Sequence, residues 1–247
     1  MPALDRTRFP GATVAVLLLV LVGAGLAIGP DDAFRSLRST LGVTPERVLP
    51  APPAPPTSGD FAFAMTQPGS TDPVGWDPCE TIRYAVNPDG EPAGGRDLVE
   101  RALERVSAVT GLAFEDVGDT DRRPFTGEVA AFGARPVVIG WADDSEVPEL
   151  GGQVVGLGGG SASDDGSQGS YYVTGGVVLD TDAFTQATIA QSPRVMEALV
   201  VHEVAHLVGL GHVNEPMELM FASNDGQTEF GPGDLTGLAL LGSLPCR

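Results

Sequence analysis

Residues 202–212 read His-Glu-Val-Ala-His-Leu-Val-Gly-Leu-Gly-His, and they hold all three histidines of a 247-residue chain. The spacing H-E-x-x-H-x-x-G-x-x-H leaves this stretch few ways to fold. At 100° per residue, His202 and His206 fall about 40° apart on one helix face, so both rings can reach a single ion. Glu203 is adjacent in sequence but rotated away, placed to hold a water and not the metal. Gly209 can enter a left-handed conformation at low cost and end the helix there. The chain can then turn so that His212 approaches from another direction. Three neutral nitrogen donors leave one tetrahedral position open, which separates catalytic zinc sites from closed structural ones.

Ahead of this motif the chain divides by composition. Pro10 and Pro30 bracket nineteen residues in which Thr13 is the only conventional polar side chain, with Arg6 and Arg8 just before them. As a helix, residues 11–29 would span roughly 28 Å, close to the ~30 Å hydrocarbon thickness of a bilayer. Positive charge on that flank puts residues 1–10 in the cytoplasm and the remainder outside. Gly25-Leu26-Ala27 also offers a signal-peptidase site, so residues 11–29 read either as a retained membrane anchor or as a cleaved signal peptide. Both readings place the rest of the chain outside the cytoplasm. Residues 30–60 form a linker. Within it Phe34, Leu37 and Leu41 could share one face of a short helix, and Pro45–Pro56 favours an extended polyproline spacer of about 3 Å per residue. Residues 61–247 make one domain, long enough to bury a substantial core.

The net charge of −19 lies in that domain, because residues 1–60 carry five acids and five arginines. Such acidity argues against nucleic acid as a partner. In an exported protein, two cysteines fit one disulfide, Cys79–Cys246, with two free thiols as the alternative. Thr81–Val86 alternates weakly as a strand, and Cys79 is expected on the same strand. Leu98, Val99, Ala102, Leu103, Val106 and Val109 repeat at helical spacing over Arg96–Val109, and Gly111 stops them. Val137–Trp141 reads as a buried strand, and Tyr171–Asp180 as another. Pro193 suits the first turn of a helix reaching Val208, with Ser192 as its N-cap.

Glu218-Leu219-Met220-Phe221 places a methionine a short distance after the third histidine, with Met217 as a competitor. Together with the histidine motif, this makes residues 76–247 resemble the metzincin zinc peptidases, and among them the matrixin-like branch of small bacterial exported enzymes. Trp76–Asn87, Gly175–Asp180 and Gly233–Leu238 look like that family's first strand, the strand before its active-site helix and the start of its C-terminal helix. Two departures stand out: Phe221 replaces the tyrosine common after the turn methionine, and no proline comes directly after it. No histidines remain for a second, structural zinc, and neither cysteine lies in a pro-segment that could cap the metal.

The resemblance implies an α+β fold: a twisted mixed sheet packed with an active-site helix and a C-terminal helix. It implies a zinc endopeptidase with ligands His202, His206 and His212, Glu203 as general base for a zinc-activated water, and Met220 in the turn beneath. It further implies an edge strand that aligns an extended peptide by strand addition, best matched by Val154, Val155, Gly156, Leu157 and Gly158, where glycine permits close backbone approach. A flexible glycine-rich loop is the competing reading of that segment. Phe221 and Ala222 would wall the pocket beyond the cleaved bond. The expected partners are protein or peptide substrates and, for an uncleaved N-terminal helix, the membrane; the expected state is a monomer. Asp143-Asp144, Asp164-Asp165 and Asp180 with Asp182 could supply oxygen ligands for calcium, against the plainer reading of solvated acidic loops. The functional alternatives are a catalytically silent binding module of the same fold and a metal-dependent hydrolase acting on a non-peptide bond.

Overall fold

The structure is a computed structural model that describes residues 45–52, 59–125, 135–164, 169–223 and 226–247. The apolar stretch 11–29, the stretch 31–43 and linker residues 53–58 lie outside the described residues. No described helix is long and apolar enough to cross a membrane.

The fold is a mixed α+β arrangement. The strands are β1 (Ala62–Phe63), β2 (Ile82–Val86), β3 (Phe114–Asp119), β4 (Val137–Ala142), β5 (Gly156–Asp164), β6 (Ser170–Asp180) and β7 (Leu210–Gly211). The helices are α1 (Gly95–Thr110), α2 (Gln186–Gln191), α3 (Pro193–Val208) and α4 (Pro232–Gly242). Five strands form one sheet in the order β3-β2-β4-β6-β5. The first four run parallel, and β5 is an antiparallel edge. Strands β1 and β7 pair separately as a small antiparallel ribbon.

Each expected element has a visible cause. In α1 the apolar stripe Leu98, Val99, Ala102, Leu103 and Val106 is buried, and Gly111 ends the helix at a φ of 66°. All six residues of β4 are buried because the sheet is covered on both faces. Val137, Ile139 and Trp141 join the main core, while Ala142 packs with Val178 and Leu150 in a smaller cluster. Helix α3 lies against the sheet with Val200, Val201, Val204, Ala205, Leu207 and Val208 buried. The indole N–H of Trp76 donates to the Leu207 carbonyl oxygen at 2.9 Å, tying the chain before β2 to the end of that helix.

Three expectations need correction. Ser192 precedes α3 but makes no side-chain cap bond; its N–H goes instead to the Thr188 carbonyl as the end of α2. Helix α2 itself carried no strong periodic signal. Cys79 lies in the turn before β2, with its N–H donated to the Asp77 carboxylate at 2.9 Å, and not on the strand. The edge strand begins at Gly156 and runs to Asp164, so Val155 stands just outside it.

Cys79 and Cys246 form a disulfide across 167 residues of sequence, with their Cα atoms 5.4 Å apart. Beside it the Asp77 carboxylate accepts from the Arg247 backbone N–H at 3.1 Å, so the C-terminus is held by a side chain as well as by the bridge. Closing so long a loop is worth about 5 kcal/mol in the chain-entropy treatment, and measured values commonly fall lower. Replacing both cysteines by serine should therefore cost about 2–4 kcal/mol in urea unfolding. A loss below ~1 kcal/mol would show that the crosslink constrains the unfolded chain little.

Candidate metal centre

Three imidazoles converge at one end of helix α3. His202 and His206 sit one turn apart on the helix, and His212 comes directly after β7. The three rings offer donor atoms that all lie within 4.8 Å of one another. The Nε2 atom of His212 is 3.1 Å from Nε2 of His202 and 3.1 Å from Nε2 of His206. Ligands about 2.0–2.1 Å from a tetrahedral ion stand roughly 3.3 Å apart, so the spacing suits one small cation.

The other ring nitrogens explain why Nε2 points inward. Nδ1 of His202 lies 2.7 Å from the Leu219 carbonyl oxygen, and Nδ1 of His206 lies 2.7 Å from the Leu210 carbonyl oxygen. A carbonyl can only accept, so each Nδ1 carries the proton and each Nε2 presents a lone pair. Even with a proton on its Nε2, His212 could satisfy only one of the two lone pairs facing it. A cation at the centre satisfies all three, which is the chemical case for a metal here.

Burial keeps these histidines neutral. It depresses His202 to about 3 and His206 to about 4, with the neighbouring rings adding to the effect, and it lowers His212 as well. His202 is buried, His206 half-buried and His212 exposed, so the cluster opens towards solvent on the His212 side.

Glu203 is 6% exposed and stands outside the ligand group, as the rotation along the helix requires. Burial pushes its carboxyl up to about 8, against a hydrogen bond from the Gly158 N–H that favours the charged form. That bond is a consequence of strand register. Asp180 N–H donates to the Val155 carbonyl, and Gly156 pairs with Leu179. Gly156 and Gly158 therefore occupy the positions whose N–H and C=O groups face away from β6, at the free edge. Side chains at these two positions would run into helix α3. A Cβ on Gly158 would sit 1.9 Å from the Glu203 carbonyl oxygen, and one on Gly156 would sit 2.8 Å from Glu203 Cγ. The close approach that glycine was expected to allow here is thus made by helix α3, which lies flush on the strand.

Gly209 ends α3 at a φ of 122°, its N–H shared between the Ala205 and His206 carbonyls. Met220 is 1% exposed, whereas the competing Met217 is 70% exposed, so Met220 is the buried one of the two. Its carbonyl accepts from Val213 N–H at 3.0 Å, and Phe221 bridges Val213 in parallel. Phe221 is half-buried, and Ala222 is exposed. The acidic pairs considered for calcium gain no third acidic, histidine or cysteine ligand among the described residues. The Asp143 carboxylate is taken up locally by Ser145 and Glu146.

Two buried acids outside the histidine motif, Glu218 and Asp234, support the site from below. The Glu218 carboxylate accepts the N–H groups of Gly233 and Asp234 at 2.9 Å each, at the start of α4. In return the Asp234 carboxylate accepts from Leu219, Met220 and Gly231. The pair locks the turn that carries the Leu219 carbonyl, and with it His202, to the N-terminus of α4. Pro232 in the first turn with an acid two residues later is the sequence signal for half of this arrangement; Glu218 leaves none. Burial, then the charge of Glu218, raises Asp234 to about 6.

No protein-family model matches the chain, and a search of curated proteins also finds no match. The site therefore rests on its own geometry.

Two outcomes check it. Gly158→Ala should push α3 off the strand and weaken zinc binding at least about tenfold, because backbone and not a pliable side chain opposes the new methyl; unchanged affinity would contradict the flush packing. In a Glu203→Gln background, zinc affinity should fall no more than about tenfold between pH 7 and 5.5. The sign comes from folded-state histidine values below 6.5: protons do not compete for buried imidazoles until the pH drops well below that. Three ordinary imidazoles would lose several hundredfold, roughly, over the same range.

Proposed function

We propose that this chain is an exported zinc-dependent endopeptidase of the metzincin type, nearest the matrixin-like branch. The observation that carries the reading is the pairing of three neutral, inward-facing Nε2 atoms with a buried carboxylate that is excluded from the ligand set yet adjacent to it. A purely structural site has no use for that carboxylate.

His202, His206 and His212 would hold the zinc, which when bound supplies a Lewis acid for a scissile carbonyl and lowers the pKa of a water near it. Glu203 would take the proton from the attacking water and return it to the leaving amine. Its link to the Gly158 N–H fixes where its carboxylate points, since it spans helix and strand. The outward-facing backbone of Gly156 and the strand beyond it suit an extended peptide added to the sheet edge, with Val155 and Leu157 flanking. Phe221 and Ala222 would border the side chain past the cleaved bond. The Cys79–Cys246 bridge supports an extracytoplasmic location, whether the chain stays anchored through residues 11–29 or is released. We take the enzyme to act as a monomer on proteins or peptides, with no nucleic-acid partner.

Glu203→Ala should keep about one zinc per chain while losing at least about a thousandfold of peptide cleavage. The measurement is metal content together with product mapping in a mixed peptide pool, with and without chelator. Zinc uptake by the unaltered protein without any chelator-sensitive cleavage would favour the silent binding module. Undiminished cleavage by the variant would remove Glu203 from the mechanism.

A further inference from the structure

The ribbon of β1 and β7 lies outside the main sheet and has no part in the chemistry above, yet it touches the metal centre directly. Strand β7 is Leu210–Gly211, between the glycine that ends α3 and the third ligand His212. Its partner is Ala62–Phe63, paired as Ala62 with Gly211 and Phe63 with Leu210. The Ala64 N–H donates to the Gly209 carbonyl at 2.8 Å. That bond fixes the alternation of the ribbon. Phe63 and Leu210 form the pair whose own N–H and C=O groups face away from each other. The Leu210 carbonyl is therefore turned away from β1, and it is the group that accepts the Nδ1 proton of His206.

The strand is held at both ends. On one side, a Cβ on Gly233 would lie 2.0 Å from the Asp60 carbonyl oxygen, and Phe61 Cβ comes within 3.2 Å of where a Cβ on Gly237 would stand. Phe61 also meets Phe63 edge-on, at 5.4 Å between centroids. On the other side, the Met65 carbonyl accepts from Val74 N–H at 2.9 Å. Residues 59–65 thus form a strap across the only stretch of chain that joins the helical ligands to His212.

We propose that this strap is a positioning element of the metal centre: by clamping Gly209–Gly211 it aims the Leu210 carbonyl at His206 and sets the point from which His212 departs. The inference rests on the reading of the three histidines as zinc ligands. It assigns to Ala62, Phe63 and Ala64 an influence on metal affinity that their distance in sequence from the motif would not suggest. Carbonyl partners of metal-binding histidines typically shift affinity about 10–100-fold when lost.

The test uses the full chain. Ala64→Pro removes the N–H given to Gly209 at an exposed position, and Ala64→Gly keeps it. Zinc affinity is measured by competition with a chromophoric chelator, and the d–d spectrum of the cobalt-loaded protein reports ligand geometry. Ala64→Pro should bind zinc at least about tenfold more weakly with an altered cobalt spectrum, its metal-free Tm within about 3 °C of the parent, while Ala64→Gly should match the parent in affinity and spectrum. A folded Ala64→Pro protein that binds zinc within twofold of the parent, with the same spectrum, would overturn the proposal. Should that variant fail to fold, hydrogen exchange on the unaltered chain decides. Zinc should slow exchange of the Ala64 and Gly211 amides about tenfold or more by reciprocal coupling, and unchanged rates would overturn the proposal. A parent protein that takes up no zinc would instead sink the metal-site reading itself.

Discussion

The contact between helix α3 and edge strand β5 constrains everything around the candidate site. It is a backbone-to-backbone contact, because Gly158 offers no Cβ and Glu203 stands directly above it. That closeness has two consequences. The Glu203 side chain is driven into a buried position at the free edge of the sheet, where its carboxyl meets the Gly158 N–H. The face of α3 carrying His202 and His206 is then presented along the same edge. Were the strand to carry larger side chains, the helix would stand off by several ångströms, as helices over ordinary sheets do. Carboxylate and strand would then be separated.

A second theme is that polar groups around the histidines are satisfied by backbone. Two peptide carbonyls fix the histidine tautomers, and two buried carboxylates collect five backbone N–H groups between them. Unpaired, such buried acids would each cost several kcal/mol. Paired with amides of a turn and a helix N-terminus, they convert an irregular loop into a rigid support. The Leu219 carbonyl is consequently held in place by the Asp234 carboxylate on one side and the Met220–Val213 bond on the other.

The segment before the main sheet belongs to the same scheme. The sequence places the start of the domain near residue 61, directly after the proline-rich linker, and gives its first residues no role. In the structure residues 59–65 thread between α4 and the loop leading to His212; Gly59, Gly211 and Gly233 are where backbone meets backbone, and Gly237 makes room for the Leu210 and Phe61 side chains. The chain on the far side of the metal motif thereby becomes a neighbour of the residues that close it.

The histidine spacing by itself pointed to the candidate ligand set, the excluded carboxylate and the helix end at Gly209, because each depends only on rotation along a helix and on glycine's access to positive φ. The stripes of α1 and β4 were legible for a similar reason: their apolar periods are local and uninterrupted. Sequence preferred Met220 to Met217 only through its setting, and in the structure Met220 is the buried one of the two. Tertiary structure alone settled the start of the edge strand, the role of its glycines, the clamp of Glu218 with Asp234, and the pairing of Ala62–Phe63 with Leu210–Gly211. These rest on contacts between residues far apart in the chain, and a two-residue strand or a single buried glutamate leaves no periodic trace. Local geometry wrote the histidine cluster into the sequence, whereas the packing that aims its rings exists only once distant backbones meet.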